Sequence, residues 1–198
     1  MPQAALLDKY SINRLVALGS NASSDLVLSQ GLVRDAILQL EGEGLRINAI
    51  SRFYRTPCFP AGAGPDFVNA AIAVQSDLSD RALLDLFHEV EARFGRERPS
   101  RWAPRTLDID LVASGVTIAP DRPTLTHWMD LPLDDQKRVA PDQMILPHPR
   151  LQDRGFVLIP LLDIAPDWRH PVLERTVRQM CDALSEAEKT GIQPLSDL

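Results

Sequence analysis

Two acidic side chains, Asp108 and Asp110, stand two positions apart in the segment LDIDL. Alternate side chains of a β-strand face opposite sides, so the two carboxylates would share one face while Leu107, Ile109 and Leu111 enter the core. Paired carboxylates suit Mg²⁺, which takes one or two of them together with substrate phosphates and water. A D-x-D pair is also common on exposed strands. Alone, the segment predicts either a metal site or a solvated strand face.

An arginine-rich stretch immediately precedes this pair. Five arginines lie between Arg93 and Arg105, with Glu97 as the single acid. The planar guanidinium fork suits phosphate oxygens, and a metal held by acids nearby would bridge them. This arrangement favours a polyphosphate site, although a surface loop that pairs with other acidic residues would look similar. Trp102, inside the stretch, either packs or contacts a nucleotide.

A second candidate is His148, which two prolines flank in the segment LPHPR. The prolines stiffen this loop, and Arg150 and Arg154 follow within seven residues as further phosphate donors. The four histidines show no H-x-x-x-H or H-E-x-x-H spacing, so a zinc hydrolase is not indicated. The chain also lacks a G-x-x-x-x-G-K-[ST] phosphate loop, G-x-G-x-x-G and G-x-S-x-G. Any ATP site must therefore be built from side chains.

Composition limits the class of protein. A chain of 198 residues with 44% hydrophobic content predicts one domain, and no apolar run reaches membrane-spanning length. The net charge of −6 argues against general nucleic-acid binding. Cys58 and Cys181 are far apart, which suggests neither a zinc site nor a disulfide framework. Residues 1–13 do not resemble a signal peptide, so we expect a cytoplasmic protein.

Periodicity and breakers predict the elements that carry these residues. In order they are strand 13–18, helix 25–41, strand 45–54, strand 67–75, helix 79–94 and strand 107–113. This β-α-β-β-α-β order predicts an α+β fold of the ferredoxin-like type, with an antiparallel sheet and two helices on one face.

The remaining chain is expected to embellish this core. Residues 116–145 hold four prolines, five acids and no glycine, and we interpret them as an insertion, a long ordered loop. A terminal helix is predicted over 174–188, and residues 190–198 are expected to fray. We therefore expect one domain over 1–198, with an N-terminal extension at 1–12, the insertion, extra C-terminal helices and a tail at 189–198.

Five segments in order resemble the family of 6-hydroxymethyl-7,8-dihydropterin pyrophosphokinases, enzymes of folate synthesis. They are LGSN at 18–21, SRFYRTP at 51–57, DFVNAA at 66–71, RWAPRTLDID at 101–110, and LPHPR with RGFVL between 146 and 158. The resemblance implies transfer of the β,γ-pyrophosphoryl unit of ATP to the pterin hydroxymethyl group, which releases AMP. It implies small-molecule substrates, a monomer, and neither nucleic acid nor membrane as partner.

The resemblance also implies roles for individual residues. Two Mg²⁺ ions would be bound by Asp108 and Asp110. The catalytic residues would be Arg96, Arg105 and Asp110. ATP or its closing loop would contact Glu91, Arg96, Arg98, Trp102, Arg105, His148 and Arg154. The pterin would be bound by Thr56, Pro57, Phe67, Asn69 and Phe156, with its ring stacked between the two phenylalanines.

Departures and alternatives accompany this interpretation. Phe67 stands where the family often has tyrosine, Pro99 and Ser100 stand where a lysine is expected, and 116–145 is longer than a compact member needs. A nucleotidyltransferase would pair Gly-Ser closely with D-x-D, but Ser20 and Asp108 are far apart in sequence. A ferredoxin-like RNA-binding module would need an aromatic RNP1-like strand and a basic surface, and the chain has neither. A catalytically silent relative would not need the intact Asp108, Asp110, Arg96 and Arg105.

Overall fold

An antiparallel β-sheet forms the centre of this computed structural model. The structure describes residues 13–58, 64–95, 106–132, 135 and 138–196. The strands are β1 (Arg14–Ser20), β2 (Arg46–Ile50), β3 (Tyr54–Thr56), β4 (Phe67–Gln75), β5 (Asp108–Ser114) and β6 (Gln193–Pro194). They run in the order β5-β1-β4-β3-β6, and β2 also pairs with β4. In this order β5 and β4 flank β1, so one strand separates the acidic pair from the DFVNAA segment.

Helices cover both faces of the sheet. They are α1 (Leu26–Gly42), α2 (Asp80–Arg93), α3 (Arg122–Asp130), α4 (Gly155–Ile164), α5 (Val177–Ala183) and α6 (Glu186–Lys189). The side chain of Asp25 caps α1 by accepting from the N–H of Val27, and Ser79 caps α2 by accepting from Ala82. These caps satisfy backbone donors that the first helical turn leaves unpaired, and they confirm the predicted starts of both helices.

Two apolar layers lie on opposite sides of the sheet. On one side, alternate residues of β1, β4 and β5 pack against the buried stripes of α1 and α2, including Val33, Leu83 and Phe87. On the other side, the intervening strand residues pack against α4 and α5 through Leu158, Leu161 and Met180. The central strands are apolar because both of their faces are buried. Helices therefore lie on both faces, and the α4 face is the one that carries Asp108 and Asp110.

The predicted strand 45–54 is divided into β2 and β3. At the break, the Ser51 hydroxyl accepts a hydrogen bond from the backbone N–H of Ala71 at 2.8 Å. The Ser51 N–H donates in turn to the carbonyl of Ala71 at 2.9 Å. A side-chain oxygen thus satisfies one backbone donor, which lets the chain bend here without leaving a buried N–H unpaired.

The segment 116–145 is not only a loop, because it contains α3. Asp121 caps this helix by accepting from Thr124 at 2.8 Å, proline occupies its first turn, and Leu125 is fully buried. Proline favours a helix start, since its missing N–H would be unpaired there in any case.

The C-terminal expectations were wrong in two respects. The predicted helix 174–188 is two helices, α5 and α6, because Ser185 interrupts the first and caps the second. Residues 190–196 are not a frayed end, since β6 pairs with β3. In the described part of the chain, no helix combines the length and apolar character needed to cross a membrane.

Candidate active site

The acidic pair lies on β5 with the alternation that the sequence predicts. Leu107, Ile109 and Leu111 are buried in the layer against α1 and α2. Asp108 and Asp110 are half-buried and face the other side of the strand. Two carboxylates therefore project from one strand face at a partly solvated position, the geometry required for oxygen ligands that share a cation.

A third carboxylate supports this strand from behind. Glu91, on α2, is 2% exposed, and its Oε1 accepts a hydrogen bond from the backbone N–H of Ile109 at 2.8 Å. Ile109 is the residue between the two aspartates, so Glu91 fixes the backbone that carries both. The sequence suggested a place near the nucleotide for Glu91, which stays a prediction, and the contact to the D-x-D backbone was not foreseen.

One row of residues crosses the sheet from the acidic pair to the DFVNAA segment. Gly19 on β1 is the register partner of Asp108 on one side and of Asn69 on the other. Register partners in adjacent antiparallel strands share a face, and adjacent strands lie roughly 5 Å apart. Asp108 and Asn69 are therefore two strand spacings apart, roughly 10 Å, with Gly19 between them.

The absence of a side chain at Gly19 makes room for the Asn69 amide in this row. A methyl group built at Gly19 would lie 2.5 Å from Asn69 Oδ1 and 3.8 Å from Phe67 Cδ1. Any side chain would therefore displace Asn69 from its place. The sequence gives one clue to this close approach, since Gly19 stands at the end of an apolar strand.

The predicted pterin residues Thr56, Phe67 and Asn69 are neighbours in β3 and β4. The Asn69 Nδ2 amide donates to Thr56 Oγ1 at 2.6 Å, and both residues are buried. Thr56 is also the register partner of Phe67. This bond orients the Asn69 amide, so that its Oδ1 faces Gly19.

Asp66 connects the start of β4 to residues at the end of β3. Its Oδ2 pairs with Arg55 at 2.7 Å, and its Oδ1 accepts from the backbone N–H of Cys58 at 3.4 Å. Pro57 lies between these partners and is exposed. The Asp66 carboxylate thus positions Pro57 relative to the start of β4 through its contacts with Arg55 and Cys58.

A small cavity lies beside the acidic pair. Its lining residues are Asp110, Val112, His148, Leu151, Arg154 and Val157. The backbone N–H of His148 donates to the carbonyl of Val112 at 2.8 Å, which fastens the LPHPR loop to β5. Arg154 stands at the N-terminal boundary of α4. The structure therefore brings together Asp110, His148 and Arg154, which the sequence had named separately.

His148 is neutral at physiological pH. Burial, together with the positive charges of Arg154 and Arg150, lowers the pKa of its imidazole to about 3, against a smaller opposing effect of Asp108. Its Nδ1 accepts a hydrogen bond from the backbone N–H of Arg150 at 3.1 Å. A neutral imidazole that accepts at Nδ1 carries its proton on Nε2. His148 can therefore donate a hydrogen bond from Nε2 without adding charge.

The other predicted residues are placed less completely. Phe156 lies in the first turn of α4, is 39% exposed, and has the Arg154 guanidinium 5.5 Å from its ring centre. Arg96, Arg98, Trp102 and Arg105 lie outside the described residues. Within the described residues, no group of three or more histidine, cysteine or acidic side chains is placed to hold a metal ion.

The architecture defines a mixed α/β protein built on an antiparallel sheet, and solved structures share it. A Plasmodium falciparum HPPK-DHPS triple mutant superposes with a TM-score of 0.60 at 15% identity, over 91% of this chain and 46% of that one. The A437G variant of the same protein gives a TM-score of 0.58 at 13% identity, over 91% and 47%. The chain thus spans less than half the length of these solved chains, and at this identity the likeness shows the fold alone.

Sequence comparison identifies the family. The model for 7,8-dihydro-6-hydroxymethylpterin-pyrophosphokinase (HPPK) matches residues 15–166, and the chain belongs to this family. The 2-amino-4-hydroxy-6-hydroxymethyldihydropteridine pyrophosphokinase of Synechocystis is 30% identical over 182 residues, covering 92% of this chain and 80% of that relative. The enzyme of the same name from Pseudomonas aeruginosa is 35% identical over 156 residues, covering 79% and 82%.

Proposed function

We propose that this chain transfers the pyrophosphoryl group of ATP to the hydroxymethyl group of 6-hydroxymethyl-7,8-dihydropterin, giving the pterin diphosphate and AMP. Membership of the HPPK family carries this conclusion. The relatives that match most of the chain bear the name of the enzyme that catalyses this step. Neither a nucleotidyltransferase nor an RNA-binding module is favoured by these matches.

The pterin would occupy the side of the sheet formed by β3 and β4. Asn69 and Thr56 are already bonded to each other and would present fixed polar groups to the edge of the ring. Phe67 and Phe156 would supply the stacking faces, and Pro57 would close one side. A few fixed polar groups between apolar walls are the usual means of recognising a flat heteroaromatic ring.

ATP would lie beside β5. His148 would donate from Nε2 to a phosphate oxygen, and Arg154 would add a positive charge at the same cavity. Glu91 would act through the backbone of Ile109. We also propose, on the basis of the family resemblance, that Arg96 and Arg105 contact the phosphates and that Arg98 and Trp102 help to hold ATP or its closing loop. Arginine contacts that strengthen as charge develops on the transferred group would lower the barrier.

The acidic pair fits magnesium. Asp108 and Asp110 share a half-buried strand face beside a cavity that also presents His148 and Arg154. Two carboxylates suit an ion that completes its shell with phosphate oxygens and water, and we propose that they hold two Mg²⁺ ions. Bound there, the ions would neutralise the negative charge of the ATP phosphates.

The row Asp108–Gly19–Asn69 supports the direction of transfer. The hydroxymethyl group of a pterin held at Asn69 would point along the row towards Asp108, past Gly19. The attacking oxygen and the phosphate would then meet near a residue that adds no side chain of its own beside the Asn69 amide. Holding two reactants in such contact removes much of the entropic cost of the reaction.

We also infer that the core is ferredoxin-like. If β2 and β3 count as one interrupted strand, the chain order is β-α-β-β-α-β and the strand order β5-β1-β4 with β2 and β3 beside β4. The described elements between residues 13 and 194 contribute to this one sheet and its helices, which supports a single domain with an insertion at 116–145.

An assay of purified protein with ATP, Mg²⁺ and 6-hydroxymethyl-7,8-dihydropterin tests the function. AMP and the pterin diphosphate should appear together, in equal amounts, and neither should form without the pterin. ADP as the product would indicate an ordinary kinase. Release of inorganic pyrophosphate with a nucleotide-linked product would indicate a nucleotidyltransferase.

Replacement of one carboxylate tests the metal site. Asp110→Asn should lower the rate of AMP formation by roughly 10²–10³-fold, since it removes a charge that positions the cation at the transferring group. The matched control is Asp35→Asn on the exposed face of α1, which should keep the wild-type rate. Wild-type turnover by the Asp110→Asn variant would refute the metal assignment.

A further inference from the structure

The chain returns to the sheet after α5 through the segment from Ser185 to Leu195. It comprises α6, a turn at Gly191 and β6. Strand β6 pairs with β3, and the backbone N–H of Leu195 donates to the carbonyl of Phe53 at 2.8 Å. The segment therefore covers the edge of the strand that ends in Thr56, immediately before Pro57.

The turn at Gly191 packs closely against Pro57. A methyl group built at Gly191 would lie 2.6 Å from Pro57 Cγ and 3.2 Å from Cδ. Carbon atoms in contact normally stay about 3.5–4.0 Å apart, so only a glycine backbone can come this close to the proline ring. Gly191 also has a φ of 80°, in the region that glycine adopts without strain.

The same segment presses on the start of α4. A methyl group built at Gly155 would overlap the carbonyl oxygen of Glu188 and would lie 3.0 Å from Ile192 Cδ1. Gly155 stands directly between Arg154 and Phe156. The five residues from Glu188 to Ile192 thus contact both Pro57 and the helix turn that carries Phe156.

We propose that the segment 185–195 is a positioning element of the pterin site, which sets the separation of Pro57 from Phe156. The inference rests on the proposed function, because it takes Phe156 as a stacking face of the pterin pocket and Pro57 as the residue that closes one side. A flat ring gains stacking energy only in well-placed contact with an aromatic face, so a shift of Phe156 relative to Pro57 weakens binding of the pterin. The contact between Gly191 and Pro57 lies next to the proposed pterin residue Thr56. It involves none of the residues that line the cavity beside Asp110.

Alanine at Gly191 tests the element, with alanine at Gly44 as the matched control. Gly44 has a φ of 92°, and nothing lies within 4 Å of a methyl group built there. Both substitutions impose similar backbone strain, but only Gly191→Ala pushes on Pro57. The dissociation constants to measure are that of a non-hydrolysable ATP analogue, and that of the pterin in the presence of saturating analogue.

Gly191→Ala should weaken pterin binding on the order of 10-fold and leave the affinity for the analogue unchanged, because small misplacements of a binding wall have effects of this size. Gly44→Ala should leave both affinities at the wild-type values. Ile192→Ala, which removes the contact with Gly155, provides a second variant with less backbone strain and should show the same selective loss.

Equal pterin affinity in the Gly191→Ala and Gly44→Ala variants would overturn the positioning role, as would an equal loss for both ligands. A Gly191→Ala variant that does not fold leaves Ile192→Ala to decide, by the same two criteria. Failure of the proposed function looks different, because the wild-type protein itself would then neither bind the pterin nor form AMP.

Discussion

Glu91 Oε1 accepts a hydrogen bond from the backbone N–H of Ile109 at 2.8 Å in the interior of the protein. Ile109 is the residue that separates Asp108 from Asp110. This bond links α2 to the strand that carries the proposed metal ligands. A buried N–H requires a partner, and here a helix side chain supplies it. The position of both aspartates therefore depends on Glu91, which lies on the opposite side of the sheet.

Replacing Glu91 should destabilise the protein and disturb the metal site together. Glu91→Ala leaves the buried N–H of Ile109 without a partner and should lower the free energy of unfolding by about 1–3 kcal/mol. It should also raise the Mg²⁺ concentration that gives half-maximal AMP formation. Glu91→Gln keeps an amide oxygen as acceptor and should recover much of both properties. Urea unfolding and Mg²⁺ titration of the activity measure the two effects.

The control for Glu91 is Glu89→Ala on the same helix, because the Glu89 side chain is 67% exposed and pairs with Arg93 at 3.8 Å. Exposed pairs of this kind contribute little. If Glu91→Ala unfolds like the Glu89→Ala variant and needs no more Mg²⁺ than wild type, the supporting role is refuted.

Alanine at Gly19 should damage pterin binding. The added methyl group would lie 2.5 Å from Asn69 Oδ1, so the amide must move and its bond to Thr56 must lengthen or break. We expect the KM for the pterin to rise by at least about 10-fold, with kcat reduced as well because the methyl group occupies the transfer path. Steady-state kinetics with each substrate varied in turn provide the measurement.

Gly31→Ala is the matched control for Gly19→Ala. Gly31 lies within α1, and nothing is within 4 Å of a methyl group built there. Alanine should stabilise this helix by about 0.5–1 kcal/mol and leave both KM values unchanged. Wild-type kinetics in the Gly19→Ala variant would show that the row Asp108–Gly19–Asn69 does not mark the transfer path.

The sequence predicted those parts of the molecule that follow from local periodicity. Asp108 and Asp110 share a face because the side-chain period of a strand is two, and this holds wherever the strand packs. The starts of α1 and α2 were predictable for a similar reason, since Asp25 and Ser79 are local capping signals. Neither inference needed knowledge of distant contacts.

Features that depend on contacts between distant segments were not predictable in this way. The pairing of β6 with β3 involves two residues of β6, too few for a pattern, and it accompanies a close approach of Gly191 to Pro57 that the sequence does not show. The role of Glu91 requires knowing that α2 crosses behind Ile109. The row Asp108–Gly19–Asn69 can be recognised only from the registers of three strands. Roles for Arg96, Arg98, Trp102 and Arg105 stay predictions.

The stability of the protein should depend on pH through His170. This residue is fully buried beside the turn at 171–173, and its Nδ1 accepts hydrogen bonds from the backbone N–H groups of Val172 and Leu173, each at 3.2 Å. Burial lowers the pKa of its imidazole to about 4. As the pH falls below about 6.5, His170 is protonated in the unfolded chain but stays neutral in the folded protein. The free energy of unfolding therefore declines until the pH approaches 4.

His170→Asn tests this dependence, because the asparagine oxygen can accept in place of Nδ1 but does not titrate. Between pH 6.5 and 4, the free energy of unfolding of the wild-type protein should fall more steeply than that of the variant, by up to about 1.4 kcal/mol per pH unit. His148 is present in both proteins, so its contribution cancels in the difference. His127→Asn is the control, since the exposed His127 side chain meets water in both the folded and unfolded states. Parallel curves for wild type and His170→Asn, measured by urea unfolding at each pH, would show that His170 takes up its proton equally easily in the folded and unfolded protein.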